Sequence, residues 1–294
     1  MIAVLTWWTW YEREIALKSA ENICENISYN YDYYLLPDQI YEFLENYKKY
    51  DFVIPVFHWE FWEDGKIFWL LESLNIPHAF SGFDTHVFWM NKFLSINLVD
   101  NMNIKTPKSY LIKTPKEITN IDIGFPMIVK PNKWWSSIWT SIVIDNKSLE
   151  DTVWKILTDY EDDALIQELI NWQEYSVSLV WKKEPEVLPV MKLELKNSDL
   201  FDYNEKYNST HENEIFWEED KKLSKELTSI SKRIFKKFNC SWCARIDYIV
   251  TTEWIYFLEI NTIPGLTKNS ILSKAWTLTW RSTNYLIEEI IKNS

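Results

Sequence analysis

The chain has 294 residues, enough for two or three small domains that share large buried interfaces. Its 43 acidic and 31 basic residues leave a formal net charge of −12, which repels polyanions and argues against nucleic acid as a partner. Three cysteines are too few, and odd in number, for a disulfide framework, and the lone pair Cys240 and Cys243 lacks the second pair a zinc site needs.

Residues 1–5 form a short apolar run without a basic leader, which predicts a first β-strand and not a signal peptide. No stretch approaches the roughly 18 uncharged apolar residues of a membrane helix. A cytoplasmic protein with no membrane partner is expected. A helical pattern follows over 11–26, a strand over 52–57 ending at His58, a helix over 66–75 and a short strand over 77–80. Strands alternating with helices predict a parallel sheet, whose ligands sit beyond the strands' C-terminal ends. Residues 6–10 and 58–64 lie there. Next come a helix over 90–99, strands over 105–112 and 126–130, a polar loop over 132–141, a strand over 141–144, a helix over 148–160 and a strand over 164–168. The last third opens with a strand over 174–180 and a polar segment over 197–219. A charged amphipathic helix over about 221–238, a hairpin of 245–250 with 255–261, and a terminal helix complete the chain. The fold class is α/β.

The hairpin carries the strongest chemistry readable from spacing. A turn at 251–254 sets Asp247 opposite Glu259, and side chains two apart on a strand share a face. Asp247, Glu259 and Asn261 then bring three oxygen ligands together, a hard donor set that suits Mg²⁺ completed by phosphates. The bland alternative is a solvated strand face, although two facing acids repel without a cation. Lys130 ends an apolar strand before a Ser-rich turn, a place for a phosphate, yet the loop lacks the glycines that let backbone amides approach one closely. Glu12 and Glu14 fit favourable charge at a helix N-terminus. His58 stands at a strand's C-terminal end, whereas His78 and His86 read as packing or surface residues.

At these residues the chain resembles the D-alanine–D-alanine ligase family of the ATP-grasp superfamily. The matching blocks are Tyr11 to Glu14, His58 with Glu63 to Gly65, Met90 to Lys92, Ile128 to Pro131 with Ser136 and Ser137, Phe201 to Tyr203 with Glu205 to Tyr207, Arg245 to Asp247, and Leu258 to Gly265. Seven blocks in the family's order are specific. The resemblance implies an ATP-grasp fold with an N-terminal Rossmann-like substrate domain (1–87), a small central domain (88–170) and a C-terminal domain with metal and catalytic residues (171–294).

It also implies roles. Lys92 and Lys130 would meet ATP phosphates, with Ser136 and Ser137 on the loop closing over them. Gln167, Glu168 and Ile170 would form the adenine hinge, Glu174 would bind ribose, and Lys206 and Tyr207 would come from a second closing loop. Glu12, Ser136 and Tyr207 would form a hydrogen-bonded set at the first D-alanine, with His58 as a further substrate contact. Arg245 and the Gly265 amide would stabilise an oxyanion, Ser270 and Ile271 would meet the second substrate's carboxylate, and Asp247, Glu259 and Asn261 would hold two Mg²⁺ or Mn²⁺ ions. The implied activity is ATP-dependent joining of two D-alanines through an acyl phosphate, for peptidoglycan precursors; a homodimer stays open. Two alternatives stand beside it: a D-alanine–D-lactate or other ATP-grasp ligase, and a non-catalytic, aromatic-rich binding protein.

One departure is systematic. The chain has 18 Trp and 4 Gly, where ordinary usage is about 7% Gly. Trp7, Trp8, Trp59, Trp62, Trp135, Trp139, Trp172, Trp242 and Trp276 stand where the family has Gly, and Trp254 falls in the hairpin turn. Turns there call for positive φ, which Gly alone adopts freely. The expectation is a gene whose UGA codons are decoded as Gly, and a literal Trp-bearing chain that folds poorly or binds ATP weakly.

Overall fold

The computed structural model describes residues 1–7, 13–57, 65–134, 139–181, 184–194 and 214–292. Three sheets organise them. The first is parallel, in the order β2-β1-β3, built from β1 (Ile2–Trp7), β2 (Tyr31–Leu36) and β3 (Phe52–Val56). Ile2, Ala3, Val4 and Leu5 are all buried, as a central strand covered on both faces requires. Helices α1 (Arg13–Asn26), α2 (Ile40–Asn46) and α3 (Lys66–Ser73) accompany it. The strand expected over 77–80 contracts to a single parallel bridge between Val53 and His78. Phe80 turns to φ 71, which ends the extended run.

The expected helix over 90–99 is present, beginning at Lys92, and a helix not expected from sequence precedes it. Helix α4 (Phe83–Met90) stops before Asn91, and α5 (Lys92–Asp100) starts after it. Asn91 has φ −86 and ψ 99, and its Oδ1 accepts the Leu94 amide at 2.9 Å, so it caps α5.

The second sheet, in the order β4-β7-β5-β6, is antiparallel: β4 (Ser109–Ile112), β5 (Met127–Pro131), β6 (Ser141–Val143) and β7 (Ala164–Glu168). Helix α6 (Asn146–Asp159) covers it and buries Leu149, Val153 and Ile156 against Met127, Val129 and Ile166.

The third sheet runs β11-β10-β8-β12-β13, with β9 beside β8. Its strands are β8 (Gln173–Val180), β9 (Glu186–Val187), β10 (Met191–Glu194), β11 (Glu214–Trp217), β12 (Cys243–Val250) and β13 (Ile255–Asn261). Helix α7 (Lys221–Lys237) lays Leu227, Ile234 and Phe235 on the apolar face formed by Val177, Leu179, Ala244, Ile246 and Tyr248. The terminal helix is two, α8 (Ile271–Thr277) and α9 (Thr283–Lys292). Both return to the first sheet: Leu272, Leu286, Ile287 and Ile290 share a core with Ile23, Phe52 and Ile54. Among the described residues no helix is long and apolar enough to cross a membrane.

The tryptophans divide. Trp181, Trp242 and Trp280 have φ 81, 71 and 60. Trp280 is 97% exposed in the turn after α8, where its amide donates to the Thr277 carbonyl at 3.0 Å. Trp254 departs from the expectation. It closes its turn without positive φ, through its amide on Thr251 Oγ1 at 2.9 Å. Trp7 is extended within β1, and Trp276 lies inside α8. Gly65, by contrast, has φ 92, and a Cβ there would lie 2.9 Å from the Phe83 ring.

Candidate active site

Strand alternation sorts the third sheet into two faces. The face away from α7 carries Glu174, Ser176 and Ser178 of β8, Arg245 and Asp247 of β12, and Glu259 and Asn261 of β13. Register aligns them: Asp247 pairs with Ser176 on one side and Glu259 on the other, and Arg245 pairs with Ser178 and Asn261. A bulge after Asp247 lets Tyr248 pair with Phe257, so the hairpin closes one residue tighter while Asp247 stays opposite Glu259.

Arg245 is held on Asp247. Its Nε lies 3.1 and 3.0 Å from the two carboxylate oxygens, and Nη2 lies 2.9 Å from Oδ2. Ser176 Oγ also donates to Asp247 Oδ1. Burial pushes the Asp247 carboxyl up; Arg245 opposes that shift and Glu259 adds to it. Asn261 Oδ1 accepts the Ile263 amide at 2.9 Å.

The second sheet presents its lysine to the same space. Burial lowers the Lys130 pKa, and the charges of Glu259 and Glu174 pull it back up. A lysine of β5 thus faces two acids of the third sheet. Lys92, at the start of α5, is buried and donates to the Trp134 carbonyl. Asn132 ties the two segments: its carbonyl accepts the Lys92 amide at 3.1 Å, its Oδ1 accepts the Phe93 amide at 2.9 Å, and its Nδ2 donates to Asn91 Oδ1 at 3.1 Å.

Between the two sheets, β7 passes into β8 through residues 169–172. Gln167 is buried and donates to Ser109 Oγ at 3.0 Å, while Glu168 Oε1 accepts the Lys108 amide at 2.8 Å. Ile170 is half-buried in the connection. Gly265 lies in the loop after β13. Ser270 precedes α8, with Oγ donating to the Thr267 carbonyl at 2.8 Å, and Ile271 is the first helical residue. Glu12, His58, Ser136, Ser137, Lys206 and Tyr207 lie outside the described residues. Ser176 and Asn132 were not singled out from sequence. The signal for Ser176 was the alternation of Glu174, Ser176 and Ser178; that for Asn132 was a polar residue directly after the Lys130 strand.

Among the described residues no three His, Cys, Asp or Glu stand together. The cluster here is two carboxylates and a carboxamide, all hard oxygen donors, with the Arg245 guanidinium beside the acidic pair.

The profile of the family described as "D-ala D-ala ligase C-terminus" matches residues 91–292. A D-alanine–D-alanine ligase of Fervidobacterium nodosum is 32% identical over 302 aligned positions, covering 96% of this chain and 95% of that protein. The crystal structure of a D-alanine–D-alanine ligase from Bacillus anthracis is similar at a TM-score of 0.85 and 25% identity, covering 99% of this chain and 96% of that one. The same enzyme's structure complexed with ATP gives a TM-score of 0.84 at 23% identity, with 99% and 96% covered. Fold, matched segment and near full-length identity agree, and the chain belongs to the D-alanine–D-alanine ligase family, with its ATP-grasp fold.

Proposed function

We propose that this chain joins two D-alanines at the expense of ATP, giving D-alanyl-D-alanine for peptidoglycan precursors. The observation that carries the reading is the single polar face of Arg245, Asp247, Glu259 and Asn261, with Lys130 of the neighbouring sheet directed at it.

A carboxylate is a poor electrophile. Its oxygen first attacks the γ-phosphorus, ADP leaves, and an acyl phosphate forms. The second alanine's amine, having lost its proton, then adds to the acyl carbon. The tetrahedral oxyanion collapses as phosphate leaves with the C–O electron pair. Phosphoryl transfer depends on positioning and charge neutralisation, which Lys92 supplies from the start of α5 and Lys130 from the second sheet. Two Mg²⁺ or Mn²⁺ ions held by Asp247, Glu259 and Asn261 would offset further phosphate charge. Arg245 and the Gly265 amide face the oxyanion, which needs fixed donors. Ser270 and Ile271 receive the second carboxylate. The buried Gln167 and the engaged Glu168 leave adenine to the backbone of 168–170, with Glu174 for ribose. Glu12, His58, Ser136, Ser137, Lys206 and Tyr207 complete the site and exclude water from the acyl phosphate. The parts in this reading are 1–87, 88–170 and 171–294, and α4 crosses the first boundary. A cytoplasmic location and an open homodimer question go with this reading.

Given ATP and Mg²⁺, the protein should release phosphate with D-alanine and not with L-alanine. A D-alanine–D-lactate ester as the main product at neutral pH would move it to the depsipeptide-forming relatives.

The finer part of the proposal is that most of the 18 tryptophans are glycine in the organism, through UGA decoded as Gly. Trp181, Trp242 and Trp280 support it, since L-residues with φ > 0 are strained by about 1–2 kcal/mol each. Sequencing the gene tests it: UGA should stand at these positions, and UGG codons would end the idea.

A further inference from the structure

The loop from Thr262 to Ser270 leaves the polar face and carries the Gly265 amide. Neither helix nor sheet fixes the part around Gly265, yet a donor to an oxyanion must be held to a fraction of an ångström. Two buried side chains from outside the site hold it. At the near end, the Thr262 hydroxyl bonds to His86 Nδ1 at 2.8 Å. The His86 ring is stacked on Phe68 with centroids 3.9 Å apart, and burial lowers its pKa to about 3, so it stays neutral. At the far end, Asn22 Nδ2 of α1 donates to the Leu266 carbonyl at 2.7 Å. Only residues 263–265 lie between these anchors, and Pro264 has its φ fixed by its ring.

Asn22 is itself oriented. Asn26 Nδ2 donates to the Asn22 carbonyl at 2.8 Å and lies 3.4 Å from its Oδ1, and Asn284 of α9 donates to the Asn26 carbonyl at 2.6 Å. Asn22 lines a small cavity whose walls are mostly apolar, among them Ile23, Phe80 and Ile287, with Ser273 and Thr283 as the polar exceptions. An amide in such surroundings is costly unless bonded. The bond it donates goes to the loop beside Gly265.

We propose that Asn22 is a positioning residue for the ligation step, fixing the Gly265 amide through the Leu266 carbonyl, with His86 as the second anchor through Thr262. This rests on the reading of Gly265 as an oxyanion donor. The test compares the full-length protein with Asn22→Leu and the smaller Asn22→Ala, neither of which can donate to the Leu266 carbonyl. Steady-state kinetics are measured beside affinity for a phosphinate mimic of the tetrahedral adduct. Expected is a fall in kcat of about 10- to 100-fold, below the 10²–10³ of removing a donor outright. KM for ATP should stay within about twofold, and mimic affinity should fall with kcat/KM. A lowered folded fraction with kcat per folded molecule unchanged overturns the proposal. So does wild-type kcat in Asn22→Ala, which adds no bulk should Asn22→Leu not fold. A wild-type protein that makes no dipeptide from D-alanine and ATP refutes the underlying reading instead.

Discussion

Arg245 grips both oxygens of Asp247, so a fixed positive charge already stands beside the acids without any ligand. Removing it takes away an oxyanion donor and leaves a buried carboxylate beside Glu259. Arg245→Ala is therefore expected to lower kcat by about 10²–10³ while ATP affinity, read by calorimetry, changes far less. Equal losses in both would place Arg245 in nucleotide binding. Glu259→Gln keeps the shape and removes one charge from the hard-oxygen set; it should raise the Mg²⁺ concentration that turnover needs and cripple kcat, with the fold intact by circular dichroism. Much of this was legible in the sequence. A hairpin turn and the period of two are enough to set Asp247 against Glu259. The part played by Ser176 was not legible, because it depends on which strand lies on the far side of β12, a contact 71 residues away.

Elements with a clean period or cap were legible, and strands without one were not. Helix α7 is an example of the first kind. Asp220 accepts the amides of Lys222 and Leu223 at 2.8 and 3.2 Å, and the apolar stripe behind this cap buries Leu227, Ile234 and Phe235. Asp220→Ala should cost about 1 kcal/mol, a typical N-cap loss, seen as a lower urea midpoint with kcat per folded molecule unchanged. No shift in midpoint would show that the third sheet alone holds the helix. Strand β2 is of the second kind. Tyr31, Tyr33 and Leu35 on one side and Asp32, Tyr34 and Leu36 on the other give no clear apolar alternation, because an edge strand has one poorly covered side. The same reason hid β11, at the edge of the third sheet. Asn91 sets the start of α5 through a single side-chain bond, which is invisible to periodicity.

At the scale of the molecule, the sequence showed three groups of elements in order, but not that α8 and α9 fold back onto the first sheet. That closure is an encounter of apolar faces far apart in the chain, and it brings Asn22 to Leu266 across 244 residues. It also makes the first sheet and the oxyanion loop parts of one packed body. The chemistry assigned to that body can be followed by a single label. D-alanine carrying ¹⁸O in its carboxylate is turned over by the native protein with ATP and Mg²⁺, and the released phosphate is weighed by mass spectrometry. Activation as an acyl phosphate requires that one carboxylate oxygen leave with phosphorus, so each dipeptide formed should yield one phosphate bearing a single ¹⁸O. Dipeptide accompanied by unlabelled phosphate would contradict the mechanism.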